Sequence, residues 1–199
     1  MVRARLLCTP MILLFLVVAS CGTLGNTDND QLALKIRGEY LAAQMCQGTM
    51  SVTADYGQRV YNYKMTFQWE PRGDLILTVT EPENLAGITA RVSQGKSMLE
   101  YDGVRLETGS LAQNVASPID GFPLLLTDIR EGYIAECGAE MLGQQQALRI
   151  CCRDPNQMPG QGIEGVIWFD WETHAMLRGE LRSDGNTIVS FDLDTFSMS

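Results

Sequence analysis

Few side chains in this sequence could act as an acid, a base or a nucleophile. His174 is the only histidine, and no G-x-S-x-G nucleophile motif or zinc-binding H-E-x-x-H helix accompanies it. It follows Glu172 in a predicted turn between two strands, where we expect an exposed side chain. The spacing of Asp170 and Glu172 places both on one face of a strand, and so does that of Asp192 and Asp194. Because carboxylates near strand ends are usually solvated and nothing here raises a pKa, the sequence predicts no catalytic residue.

Four cysteines fall in the predicted folded part of the chain. They are Cys46, Cys137, Cys151 and Cys152. Neither a C-x-x-C pair nor a D-x-D-x-D-G calcium loop is present, so the sequence predicts no metal site and no cofactor. Four cysteines allow three disulfide pairings, but Cys151 and Cys152 would point to opposite faces of a strand. We expect buried or unpaired thiols.

A further cysteine, Cys21, ends an amino-terminal segment typical of an export signal. Arg3 and Arg5 precede an apolar run over residues 6–18, which is shorter than the roughly 20 residues needed to cross a bilayer. The sequence Val-Ala-Ser-Cys at residues 18–21 resembles the lipobox of bacterial lipoproteins. That resemblance implies a signal peptide over residues 1–20 and a Cys21 that carries diacylglycerol and an acyl chain such as palmitate. Ordinary signal cleavage near residue 20 is the alternative.

The charge of the chain restricts its partners. Residues 1–20 contain two of the 15 basic residues and none of the 24 acidic ones, so the mature chain has a net charge of −11. Binding to phosphates of nucleic acid needs a basic surface, and nucleic acid is therefore excluded as a partner. We expect residues 21–29 to form a polar tether and residues 30–199 to form one domain.

Hydrophobic periodicity predicts one helix followed by many strands. Residues 30–45 place apolar side chains about one turn apart, with Asp28 or Asp30 available as the helix cap. In residues 60–69 the period changes to two, which is typical of a half-buried strand. Its apolar face consists of Tyr61, Tyr63, Met65, Phe67 and Trp69. Similar alternation recurs between turn dipeptides such as Asp102-Gly103 and Asp184-Gly185, which predicts hairpins.

One segment, residues 117–131, interrupts the strand pattern and predicts a helix. Ser117 is a suitable cap with Pro118 at the first helical position, whereas Pro123 must restart or kink the helix. Its apolar side chains include Phe122, Leu125 and Ile129. We expect this segment to act either as a core helix or as a movable lid over the sheet.

In this order of elements the chain resembles the LolA/LolB-like lipoprotein-sorting family. The resemblance covers about residues 30–197 and rests on the helix, the meander, the helical insert and the closing strands. The segments that carry it are residues 85–92, 99–103, 117–131, 167–170, 183–185 and 192–196. It implies a mainly β (α+β) fold, a curved antiparallel incomplete β-barrel with an amino-terminal helix and a helical lid or plug against its concave face.

The resemblance also implies a function outside the cytoplasm, at a cell membrane. We expect a non-catalytic, lipid-anchored protein that binds an apolar ligand, a lipid or an acyl chain, on the concave face. The residues predicted to line that site are Tyr61, Tyr63, Met65, Phe67, Trp69, Phe122, Leu125 and Ile129. The alternative is a protein-interaction lipoprotein that supports a cell-wall (spore cortex) amidase, as the germination lipoprotein of this fold does.

Overall fold

The computed structural model describes residues 27–93, 96–107 and 117–199. The predicted signal peptide, Cys21 and most of the predicted tether lie outside these residues. Each element is bounded as follows: α1 Thr27–Ala42, β1 Cys46–Asp55, β2 Val60–Trp69, β3 Leu75–Glu81, a 3₁₀ turn Glu83–Leu85, β4 Thr89–Ser93, β5 Lys96–Tyr101, β6 Val104–Glu107, α2 Pro118–Glu131, β7 Ile134–Leu142, β8 Gln145–Arg153, β9 Ile163–Asp170, β10 Met176–Ser183 and β11 Asn186–Met198.

The strands of the described residues form one antiparallel sheet in the order β6-β5-β4-β3-β2-β1-β11-β10-β9-β8-β7. Two meanders, β1 to β6 and β7 to β11, flank helix α2 in the chain and join where β1 pairs with β11. The edge strands β6 and β7 do not pair with each other, so the sheet is open. The predicted incomplete barrel is therefore confirmed.

Local turn chemistry fixes the hairpins as the sequence predicts. Asp102 and Gly103 have φ of 49° and 75°, and Asp184 and Gly185 have φ of 48° and 79°. Two successive residues with positive φ match the right-handed twist of the strands they connect. These turns join β5 to β6 and β10 to β11.

Helix α1 differs from its prediction at both ends. It begins at Thr27 rather than residue 30, so that three residues assigned to the tether are helical. It ends at Ala42 rather than residue 45, because the amides of Gln44 and Met45 donate to the Ser199 carbonyl at 2.6 and 3.3 Å. Hydrogen bonds to Ser199, the residue after β11, thus replace those of a last helical turn. Asp28 lies in the first turn, where a negatively charged carboxylate interacts favourably with the positive end of the helix dipole.

Helix α2 begins as predicted and runs without interruption through its internal proline. The Ser117 hydroxyl accepts from the Asp120 amide at 3.2 Å, and Pro118 starts the helix. Pro123 lies inside the helix, which is neither restarted nor divided there. The Thr127 hydroxyl donates to the Pro123 carbonyl at 2.9 Å.

Both helices pack on the same face of the sheet and bury the main core there. The Tyr40 ring of α1 meets Phe169 edge-on, with centroids 5.3 Å apart. Helix α2 lies so close to the sheet that a Cβ on Gly179 would come within 2.5 Å of Leu125. The buried apolar side chains of the two helices are Ala33, Ile36 and Tyr40 of α1, and Phe122, Leu125, Leu126 and Ile129 of α2.

The outer face of β8 to β10 carries a second, smaller cluster. It consists of Ala147, Cys151, Val166 and Trp168. Cys152 instead belongs to the main core, so the two adjacent cysteines point to opposite faces as predicted. Glu180 is buried on the outer face but is paired with Arg178 at 2.9 Å and Arg182 at 2.6 Å. Paired in this way, the carboxylate can remain charged despite its burial.

Candidate functional site

Along the predicted aromatic strand β2, the side chains of the apolar face change from exposed to buried. Tyr61 is 38% exposed, Tyr63 is half-buried, and Met65, Phe67 and Trp69 are 3%, 1% and 7% exposed. All five alternate with outward-facing residues, so the predicted period of two and the bounds 60–69 are confirmed. The gradient arises because helix α2 covers one end of the strand and not the other.

At the Trp69 end, the strand packs tightly against α2. The Phe67 and Phe122 rings meet edge-on at 4.9 Å, and Phe122 lies 5.3 Å from the Phe191 ring. Leu125 and Ile129 are fully buried in the same core. Phe67, Phe122, Leu125 and Ile129, which were predicted to line a ligand site, are instead buried in the packed core between helix and sheet.

At the Tyr63 end, an apolar cleft of about 230 Å³ remains between the sheet and the first turn of α2. It is lined by Tyr63, Met65, Val79, Leu85, Ile88, Leu99, Pro118 and Ile119. The Tyr63 hydroxyl is the only polar side-chain group in this lining. We call this space the apolar cleft.

The size and lining of the apolar cleft restrict what could enter it. Sites for drug-sized ligands usually occupy roughly 300–1,000 Å³ and are lined mainly by hydrophobic side chains. The apolar cleft has that lining but less volume. Its volume is suited to a short apolar segment.

Three tyrosines gather at the mouth of the apolar cleft. The Tyr61 ring lies 6.0 Å from Tyr56 and 6.4 Å from Tyr63, and Tyr56 is 42% exposed. Burial, followed by the neighbouring tyrosines, raises the pKa of Tyr56 and of Tyr63. Their hydroxyls therefore stay neutral near pH 7. Such rings combine an apolar body with a polar tip, which suits a boundary between an apolar site and water.

A larger depression of about 520 Å³ lies on the opposite, outer face of the sheet. Its lining is dominated by polar residues such as Gln47, Thr49, Thr66 and Thr195. Two of these hydroxyls, on Thr49 and Thr195, hydrogen-bond to each other at 2.9 Å. Phe67, Ile76 and Phe196 also reach this surface, but the smaller apolar cleft is the more apolar of the two, and we favour it as the candidate site.

The predicted lining residues thus fall into two groups. Tyr63 and Met65 line the apolar cleft and Tyr61 stands beside its mouth, whereas the other five predicted residues belong to the core. The prediction missed the lining contributed by Val79, Ile88 and Ile119. Val79 and Ile88 belong to alternating segments that share the apolar face with β2. The alternation could therefore have predicted that these two side chains lie beside Tyr63 and Met65. Their role in ligand binding stays a prediction.

The expectation of an exposed turn histidine was wrong. His174 does lie in the turn between β9 and β10, with φ of 59°, but it is only 7% exposed. Its Nδ1 lies 2.6 Å from a Glu39 carboxylate oxygen, and its carbonyl accepts from the Tyr40 hydroxyl at 3.2 Å. Helix α1 covers the turn, so that His174 connects the helix to the sheet.

The carboxylates considered for catalysis have structural partners. Burial acts to raise the pKa of Asp170, but hydrogen bonds from Thr173, Gln145 and Glu172 outweigh it and lower that pKa. Asp170 accordingly caps its own turn. Asp192 pairs with Arg178 at 2.7 Å. Across residues 27–93, 96–107 and 117–199, no group of three or more His, Cys, Asp or Glu side chains is arranged to hold a metal ion.

The four described cysteines are all unpaired. Burial raises the pKa of Cys46 to about 11 and that of Cys152 to about 12. Burial and a hydrogen bond to Asp30 raise the pKa of Cys137 to about 11. Because the thiolate is the reactive form, these thiols are poor nucleophiles near pH 7.

Helix α2 is held at its carboxyl end by α1. Arg37 Nε donates to the Ile129 carbonyl at 2.8 Å, and an Nη donates to the Gly132 carbonyl at 2.7 Å. These are terminal helix carbonyls that lack a partner within their own helix. The amino end of α2, at Pro118 and Ile119, instead borders the apolar cleft.

No known family model matches the chain, and no curated protein matches it. Solved structures do match. A DUF1329 family protein from Desulfovibrio piger has a TM-score of 0.51 at 12% identity, over 87% of this chain and 92% of that one. An uncharacterized conserved protein from Thermus thermophilus has a TM-score of 0.50 at 12% identity, over 85% of this chain and 87% of that one.

A LolA superfamily protein from Nitrosomonas europaea also matches, with a TM-score of 0.43 at 11% identity, over 86% of this chain and 93% of that one. The chain has a LolA-like fold: its open antiparallel sheet, its amino-terminal helix and the helix inserted between two meanders are those that the resemblance predicts. None of the helices in the described part of the chain is long and apolar enough to cross a membrane.

Proposed function

We propose that this protein is an extracytoplasmic lipoprotein that is anchored to a membrane through Cys21 and binds an acyl chain or another apolar ligand without catalysing a reaction. The observation that carries the proposal is the apolar cleft, where the apolar face of β2 is left uncovered beside Ile119. Apolar side chains exposed in a concave site gain free energy when a ligand removes them from water.

Filling the cleft tests the ligand proposal. Ile119→Trp should occupy the cleft and weaken binding of a dansyl-labelled fatty acid at least about tenfold, because the larger side chain takes the ligand's volume. Leu34→Trp is the matched control, since Leu34 is 62% exposed on the outer side of α1. Fluorescence titration of both variants provides the measurement. Equal affinity in the two variants would exclude this cleft as the site.

The membrane anchor needs its own test. Cys21→Ala should leave the protein unlipidated, either released from membranes or retained as an uncleaved precursor. Two acyl chains contribute about 0.8 kcal/mol per buried methylene, which holds a domain at a membrane where a single chain does so only marginally. Intact mass measurement and membrane fractionation compare the variant with the wild type. A wild-type mass without a lipid adduct would disprove the anchor.

A second candidate function is binding of a protein partner, such as a cell-wall amidase. Edge strand β6 favours it, because Val104 and Leu106 on that strand are 70% and 61% exposed. An exposed edge can accept a further strand from another protein. In this version the apolar cleft has no ligand.

A staple across α2 distinguishes the two functions. Gly179 of β10 and Leu125 of α2 face each other, since a Cβ on Gly179 would come within 2.5 Å of Leu125, so the double variant Gly179→Cys/Leu125→Cys is the staple to test for oxidation. The oxidised variant should lose fatty-acid uptake if α2 must move, and reduction should restore it. If the protein acts through edge β6, the staple should leave partner capture unchanged, and no lipid beyond the anchor should be extractable.

A further inference from the structure

A second, polar cleft of about 420 Å³ lies at the opposite end of β2 from the apolar cleft. It is bordered by the end of α1, the β2–β3 turn and the end of α2. Its lining consists of Leu41, Ala42, Ala43, Gln44, Glu70, Pro71, Arg72, Gly73 and Arg130. We call this space the arginine cleft. Nothing in the proposed binding of an apolar ligand uses it.

Arg130 is the unusual residue of the arginine cleft. Its Nε is buried and has no hydrogen-bond partner, and no other described side-chain nitrogen or oxygen shares that condition. Its guanidinium lies over the Trp69 ring, 5.5 Å from the centroid, and its nearest carboxylate oxygen, on Glu131, is 3.9 Å away. A buried donor without an acceptor costs roughly 1–3 kcal/mol, so the Arg130 guanidinium is held here with fewer partners than it could bind.

Arg72 provides a second cation in the same cleft, and this one has no ion pair among the described residues. Its side chain is exposed, and no ion pair joins it to any carboxylate in the described part of the chain. This is notable in a protein with 24 acidic residues, where most other arginines have a carboxylate within 4.0 Å. The one acid of the lining, Glu70, folds back over its own turn, where its carboxylate occupies the position that a Gly73 Cβ would take.

We infer that the arginine cleft binds a phosphate group. The guanidinium groups of Arg72 and Arg130 and the Gln44 amide offer more hydrogen-bond donors than the single carboxylate of Glu70 could satisfy. A phosphate supplies several acceptor oxygens for such donors. The Trp69 ring supports the Arg130 guanidinium from one side and leaves its edge for the ligand. The phosphate could be free or could belong to a lipid headgroup.

Calorimetric titration of the full chain with inorganic phosphate at low salt tests this inference. Wild-type protein should bind saturably, and Arg130→Gln should bind about tenfold more weakly or less, because a charge-assisted hydrogen bond is lost. Arg72→Gln should weaken binding several-fold without a risk to folding, since Arg72 is exposed. Arg105→Gln, on distant strand β6, is the charge-matched control and should bind as the wild type does.

Competition then identifies the source of the phosphate. If phosphatidylglycerol vesicles displace inorganic phosphate from the wild type while phosphatidylcholine vesicles of equal lipid content do not, the ligand is an anionic headgroup. If neither displaces it, the site binds the free ion. Equal phosphate affinity in the wild type and in the Arg130, Arg72 and Arg105 variants would overturn the inference. Fatty-acid binding at the apolar cleft should stay unchanged in all three variants, so the two proposals fail independently.

Discussion

The two ends of strand β2 share one apolar face but differ in what covers it. At the Trp69 end, α2 lies on the strand, and Phe67 packs against Phe122 at 4.9 Å. At the Tyr63 end, α2 has only its first turn above the sheet, and an apolar cleft remains. The same alternation of side chains thus produces a core at one end and a candidate site at the other. The position of α2, rather than the composition of the strand, determines which end of the apolar face of β2 stays uncovered.

The polar groups near the two ends of β2 also differ. At the closed end, Arg130 lies over Trp69 and faces a cleft with a second arginine. At the open end, the tyrosines Tyr61 and Tyr63 stand side by side, with their ring centroids 6.4 Å apart. If both ends bind a ligand, the two ligands must differ in chemistry.

The largest expected effect is on stability at the closed end. Phe67→Ala should lower the free energy of unfolding by about 3–5 kcal/mol, because it removes a fully buried ring and leaves a cavity under α2. Urea denaturation measures the change. Val60→Ala, on the same strand but 55% exposed, is the control and should change stability by no more than about 0.5 kcal/mol. Similar losses in both variants would mean that the closed end is not a packed core.

A smaller effect should follow from the Asp128 carboxylate, which lies on α2 and faces Gly165 of β9. Burial raises the pKa of Asp128 to about 6, although Arg37 acts to lower it. The folded state therefore binds a proton more tightly than the unfolded chain, and stability falls as the pH rises from about 4 to about 6. Asp128→Asn removes this loss and should be more stable than the wild type by about 1–2 kcal/mol at pH 7.

The pH series provides the control for this prediction. Below about pH 3, the wild-type carboxyl is protonated in both the folded and the unfolded state, so the two proteins should have nearly equal stability. Chemical denaturation at several pH values compares them. A constant difference between wild type and Asp128→Asn from pH 4 to pH 7 would show that the Asp128 carboxylate is well solvated.

Local patterns in the sequence predict the elements that form the two ends of β2. The strand has its predicted bounds, and helix α2 begins at Pro118 after its predicted Ser117 cap, because alternation and capping involve residues close in sequence. The burial of His174 was not predictable in this way. It depends on Glu39 and Tyr40, which are more than 130 positions away in the chain.

The candidate site was predictable only in part for the same reason. Periodicity identifies the face of β2 on which Tyr63 and Phe67 lie, but the extent of α2 over that face depends on contacts between distant elements. Close approach at Gly179 and the bonds from Arg37 hold the middle and the carboxyl end of α2. No local pattern specifies where this leaves a gap, and the arginine cleft likewise arises from three separate elements.

The smallest expected effect on stability lies at the open end. Tyr63 is half-buried, so Tyr63→Ala should lower the free energy of unfolding by about 1 kcal/mol or less, since only part of its ring leaves contact with protein. Its effect on function should be larger. The variant removes one wall of the apolar cleft, and titration with a dansyl-labelled fatty acid should show several-fold weaker binding. Tyr133→Ala, at a tyrosine that is 55% exposed and lies outside the cleft lining, is the matched control and should bind as the wild type does. A Tyr63 variant that loses several kcal/mol of stability and binds normally would mean that the open end is core after all, and the contrast between the ends of β2 would disappear.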